Sequence, residues 1–204
     1  MLDGMPERRN REVDCADCVA NARCWREPVS AGNGFIVQRI RPLEAGEVLL
    51  REGETFIGPY VVTSGCVSVT QLMEGGGERI IAFRVPGEII GLESCECGTH
   101  RFGAQAVSSA TVCRLRWSTG GIQARSAAVV RTLLAKATDQ LGRSAPWAGL
   151  SSVERVRAFV EDFERRAGQP PPMTRAHIGR HLGLAEETVV RAFAELRRAG
   201  VQRD

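Results

Sequence analysis

Between Phe35 and Trp117 the chain repeats one pattern: short β-branched runs, FIVQRI, EVLL, YVVTSG, CVSVTQL, RIIAFRV, EIIGL, AQAVSS and TVCRLRW, parted by turn residues rich in glycine. Runs this short and this regularly spaced bury their apolar side chains by closing into a compact all-β sandwich or barrel-like roll, expected over 35–120. From residue 121 the period changes. Ile122, Val129, Val130, Leu133, Leu134, Ala137 and Leu141 recur on one stripe of a helix over 121–145, which Pro146 ends. Such a stripe suits packing on the chain's own roll or pairing with a second copy, and its narrowness favours the pairing. Ile122, Val130, Leu133, Ala137 and Leu141 are then the dimerisation residues.

A further helix starts at the Ser151-Ser152 cap with a glutamate close behind, and Val153, Val156, Phe159, Val160 and Phe163 line one face before GQPPP breaks it. The next stretch, MTRAHIGRHLGLAEETVVRAFAELRRAG over 173–200, reads as two short helices meeting at a sharp turn. Gly179 permits close helix contact, Gly183 marks the turn, and Ile178, Leu182, Leu184, Val189, Ala192 and Leu196 face inward. This is the pattern of a helix-turn-helix, expected within a DNA-binding unit over 151–204. Its second helix begins near Ala185 and leaves Glu186, Glu187, Val190, Arg191 and Ala194 outward. Arg191 can pair bidentately with guanine O6 and N7, Glu187 can accept from cytosine N4, and Val190 can touch a thymine methyl. Arg175, Arg180 and His181 on the first helix, with Arg197 and Arg198 behind the second, are candidates for phosphate contacts. The competing interpretation is a three-helix packing unit with a solvated arginine face, and the ordered glycines and apolar positions weigh against it.

Charge is distributed to match. The net value is only +3, but arginines crowd into 151–204 while 43–99 lean acidic, so a polyanion would meet the C-terminal part. No apolar run has the length of a membrane span and MLDGMPERRNREVD lacks the apolar region of a signal peptide, which predicts a cytoplasmic protein with no membrane partner. In a reducing cytosol, seven cysteines are not a disulfide framework; they raise metal or redox chemistry. Three of them, Cys15, Cys18 and Cys24, stand in CADCVANARC within a polar, arginine-rich arm over 1–34. Their spacing alone leaves a zinc site, an iron-sulfur cluster and unligated thiols open. His100, His177 and His181 form no nucleophile-base constellation, so no enzyme is expected. His177 and His181 are one turn apart, and their place suits a DNA-facing or surface role better than a metal pair.

A cysteine arm, a β-roll, a long pairing helix and a C-terminal helix-turn-helix, in that order, resemble the Crp/Fnr family of bacterial transcription regulators. RPLEAGEVLLREGETFIGPYVVTSGCVSV is similar to the family's roll, RIIAFRVPGEIIGLES to its central turn, AQAVSSATVCRL to its closing strand and ETVVRAFAELRRAG to its recognition helix. The cysteines resemble the oxygen-sensing FNR branch in particular. The resemblance implies an α+β chain with a cyclic-nucleotide-binding-like jelly roll, and a [4Fe-4S] cluster ligated by Cys15, Cys18, Cys24 and Cys113. It leaves Cys66, Cys95 and Cys97 without an assigned role. It implies a homodimer that reads a palindromic double-stranded DNA site, loosened when oxygen or nitric oxide destroys the cluster. Relatives that bind a cyclic nucleotide use an Arg-Ser pair after this turn; here Arg101 is followed by Phe102, so no cyclic nucleotide is expected.

The resemblance is incomplete in three places. The family usually continues past its recognition helix into a β-hairpin wing, whereas GVQRD stops short of one, which predicts weaker phosphate contacts. Val190 stands where the branch usually has a serine, so the base preferred there is expected to differ. Gly77 in MEGGGERI replaces the usual acidic residue where the family meets RNA polymerase, an expectation against activation through that turn but not against repression. These departures support a second reading, an iron-sulfur or redox sensor or dimerisation partner with little DNA binding. The intact Glu187 and Arg191 favour the first.

Overall fold

The structure, a computed structural model, describes residues 11–12, 35–95, 97–117, 138 and 149–200. The eight expected strand runs all appear, as β2 (Phe35–Arg39), β3 (Val48–Leu50), β4 (Tyr60–Ser64), β5 (Val67–Leu72), β6 (Glu78–Arg84), β7 (Ile89–Ile90), β8 (Gly103–Ala106) and β9 (Thr111–Trp117). A ninth, β1 (Arg11–Glu12), comes from the arm, which therefore does more than carry cysteines. The order β1-β2-β9-β4-β7 makes one sheet and β3-β8-β5-β6 the other. Alternate residues of both meet between them: Val62 and Val112 from the first sheet, Val67 and Val69 from the second, with Leu43 from the connecting loop. Gly65 makes the β4–β5 turn possible. Its φ is +75°, and a Cβ there would lie 2.1 Å from the Ser109 carbonyl oxygen.

One irregularity in β6 decides where the helices sit. Val69 pairs with Ala82 but Thr70 pairs with Ile80, so Ile81 is an extra residue and the strand bulges. A bulge shifts the alternation by one. Ala82 thus faces the roll interior, while Ile80 and Phe83 share the opposite face and join a second core with Cys66 and Val85. Among the described residues, three helices close that core: α1 (Ser152–Ala167), α2 (Arg175–Leu182) and α3 (Glu186–Arg198). Val156, Phe159, Val160 and Phe163 of α1 are all buried in it, as the periodicity predicts. A capping box starts α1, with Glu154 N–H donating to the Ser151 hydroxyl and Ser151 N–H to the Glu154 carboxylate. The helix expected over 121–145, with Ile122, Val130, Leu133, Ala137 and Leu141, lies outside the described residues except for Thr138, which is helical.

Candidate functional site

The α2–α3 corner is clamped at one point. α2 ends at Gly183, whose φ is +68°, and Leu184 N–H donates to the Gly179 carbonyl at 2.9 Å. A Cβ on Gly179 would lie 2.6 Å from the Leu184 carbonyl oxygen, so only glycine lets the turn fold back this closely. Gly179→Ala is accordingly expected to destabilise by up to about 2 kcal/mol, an overpacking cost of about 1–3 kcal/mol offset by the roughly 1 kcal/mol that alanine gains in helix propensity. A lower urea midpoint checks it; an unchanged or higher one contradicts the clamp.

The clamp presents α3 in the expected orientation. Ile178, Leu182, Val189, Ala192 and Leu196 are buried and Leu184 is half-buried against them. Phe193, outside the expected inward set, is buried too, four residues beyond Val189 on the same stripe. Glu187, Val190 and Arg191 are exposed, Val190 at 49%, and Arg191 donates to the Thr188 hydroxyl at 3.2 Å. Ala194 is half-buried. Glu186 and Glu187 occupy the first turn, where the helix dipole favours negative charge.

The first-helix cations have partners within the protein. The Arg175 guanidinium sits 3.3 Å above the centroid of the Phe193 ring, and burial followed by the nearby Arg197 lowers its pKa. Arg180 reaches Glu78 of β6 at 3.6 Å. His181 corrects the expectation that it faces DNA or solvent. Its Nδ1 lies 3.2 Å from the Ile80 carbonyl oxygen and its ring packs between Phe83 and Phe159 at centroid distances of 5.2 and 5.5 Å. A carbonyl only accepts, so Nδ1 carries the proton and donates.

Burial holds the His181 imidazole below its ordinary value of 6.5; the Ile80 carbonyl opposes this, and Arg166, Arg79 and Arg84 add to it. His100 shifts down through burial against the opposing charge of Glu54, and His177 through burial and Arg180. The unfolded chain therefore binds more protons than the folded one once pH falls below about 6.5. Stability is fully present above that value and is lost as pH falls toward the lowered folded values. The urea midpoint is expected to drop between about pH 7.5 and 5.5, and less so in His181→Gln; a midpoint that rises on acidification contradicts the assignment.

Cys113 lies in a register row that crosses the first sheet. Arg11 pairs with Arg39, Arg39 with Cys113, Cys113 with Val61 and Val61 with Ile89. Cys113 is 6% exposed and, with Leu115, belongs to the sheet face opposite the roll core, which Val112 serves. Cys15, Cys18 and Cys24 lie outside the described residues, and among the described residues no three His, Cys, Asp or Glu side chains converge. Burial pushes the Cys66 thiol up to about 12, partly offset by Arg166, which makes it inert; Cys95 and Cys97 are exposed in the loop after β7. Near that loop, Glu88 of the Gly87-Glu88 turn is buried and its carboxylate faces Arg166.

Residues 40–119 match the model of the cyclic nucleotide-binding domain, and residues 172–201 that of the bacterial regulatory proteins of the crp family. The transcriptional activator protein anr of Pseudomonas aeruginosa is 30% identical, with 98% of this chain and 89% of the relative covered. The fumarate and nitrate reduction regulatory protein of Escherichia coli is 25% identical, over 93% and 82%. Among solved structures, FixK2 from Bradyrhizobium japonicum superposes with a TM-score of 0.70 at 30% identity, covering 82% of this chain and 88% of that one.

Proposed function

Since the chain belongs to the Crp/Fnr family of regulators and is not an enzyme, we propose that it reads palindromic double-stranded DNA as a homodimer under the control of a [4Fe-4S] cluster. The observation that carries the DNA reading is the exposed row Glu187, Val190 and Arg191 on a helix whose angle to α2 is fixed by the Gly179 clamp. An α-helix fits the major groove, and these side chains supply an acceptor, a methyl contact and a two-pronged donor to base edges. Two copies facing successive major grooves bind with an avidity that one copy lacks. The turn where RNA polymerase would be met, β5–β6, exposes Leu72 and Met73 but has Gly77 in place of an acidic side chain, which favours occupancy of the DNA site over activation through that turn.

Cys15, Cys18, Cys24 and Cys113 would hold the cluster, and the donor set fits: four thiolates satisfy the coordination it requires. The register supports the match. Strands lie about 4.8 Å apart, so the Arg11 backbone is roughly 10 Å from Cys113, and Cys15 follows four residues later, a reach of up to about 13 Å. An oxygen-labile cluster would supply a cross-link between the arm and β9 that air removes. The chain's part is to hold Cys113 on β9 shielded from water. Iron, sulfide and zinc analysis of anaerobically prepared protein tests this, alongside Cys113→Ala and Cys66→Ala. Iron and sulfide are expected in the parent and in Cys66→Ala, and lost in Cys113→Ala. Stoichiometric zinc in place of iron would overturn the cluster and keep the thiolate site.

A further inference from the structure

Among the described residues, the exposed Arg180–Glu78 pair joins the helical unit to the roll at the surface, and two further polar ties, one on α1 and one on α2, are set in the shared apolar core. Arg166 of α1 donates from Nη1 to both Glu88 carboxylate oxygens at 3.1 Å and to the Phe83 carbonyl at 3.3 Å. Its Nε donates to Asp162 at 2.7 Å, which fixes the plane of the guanidinium. The side chains of Arg166 and Glu88 are only 13% and 10% exposed. Burial disfavours the guanidinium charge, and Glu88 and Asp162 more than restore it. Glu88 is itself held by Val85 N–H at 3.3 Å, so the tie ends on backbone at the β6–β7 turn. The second tie is His181 of α2 on the Ile80 carbonyl, beside the bulge.

The shared core already holds the unit on the roll; directional hydrogen bonds from two different helices add what apolar contact lacks, a preferred angle. α3 packs on both helices through Val189, Phe193 and Leu196, so its angle to the roll is inherited from Arg166 and His181. In a two-fold dimer the separation of the reading helices must match half-sites about one helical turn, roughly 34–36 Å, apart. We propose that Arg166 and His181 are positioning residues for DNA reading, which set the half-site spacing the dimer accepts without touching DNA. This rests on the DNA reading proposed above.

Binding titrations on a panel of duplexes test it: the palindrome, the same palindrome with its spacer lengthened or shortened by a base pair, and a single half-site. The proteins are the parent, Arg166→Met, His181→Leu and the paired Glu88→Gln with Arg166→Met, which leaves no buried charge unpartnered should Arg166→Met alone not fold. The parent is expected to prefer the native spacing by about tenfold or more, since losing simultaneous engagement forfeits the avidity. Each variant is expected to bind the single half-site like the parent while its spacing preference falls toward unity. A variant that binds the half-site normally and keeps the full spacing preference overturns the positioning role. So does a parent that binds the half-site but ignores spacing. A parent that binds no duplex overturns the DNA reading itself, and the positioning role with it.

Discussion

Arg191→Ala is expected to weaken sequence-specific DNA binding by about 2–6 kcal/mol, because one bidentate arginine-guanine pair carries about 1–3 kcal/mol and a two-fold dimer loses two. Folding should be spared. Arg191 is exposed, and the one contact it makes among those described is the Thr188 hydroxyl, so the change belongs with surface substitutions worth about 0.5 kcal/mol or less. Binding to unrelated duplex should fall little, since phosphate attraction is shared among many cations. The measurement is the ratio of Kd on the palindrome to Kd on scrambled duplex, for Arg191→Ala and Arg191→Lys. Lysine keeps the charge and loses the fork, so both variants should lose specificity. Full specificity in either would move base reading away from α3.

Phe163→Ala should be the most damaging of the core changes, at about 3–5 kcal/mol. The ring is fully buried, packs against Phe159 at a centroid distance of 6.2 Å, and lies under the Arg166 guanidinium at 5.7 Å. Its loss opens a cavity where α1 meets β6 and removes the surface on which the Arg166 tie rests. Such a cost is a large fraction of the stability of an ordinary domain. Because Phe163 belongs to a core that includes Phe83 and Ile80 of the roll, the loss should be read by probes on β6 as well as on the helices. Urea unfolding followed by hydrogen exchange in both regions checks this. A loss below about 1 kcal/mol, or one confined to the helices, would contradict a shared core.

The strands and the helix-turn-helix were legible because each follows a single local period: every β-branched run became a strand, and the inward stripe of α2 and α3 packs as its spacing requires. What stayed hidden depends on tertiary contact. The extra residue at Ile81 leaves no local signal, since RIIAFRV is apolar on both faces, yet it sends Ile80 and Phe83 toward the helices. His181 sits on the polar side of its helix and so reads as solvent- or DNA-facing; that side is the one docked on the roll. Glu88 and Arg166 are far apart in sequence and each reads alone as a surface charge. Arg175 was legible as a cation but not as one seated on Phe193. β1 is two residues long, too short for any period to reveal.

The most direct test of the account is a DNA titration on a palindrome of two half-sites like those of the FNR branch, with anaerobic protein of verified iron content and an air-exposed portion of the same preparation side by side. The account predicts tight, salt-sensitive binding without air and a fall of orders of magnitude after exposure, in step with loss of iron. Equal binding in both portions, with iron present in one and gone from the other, would contradict it.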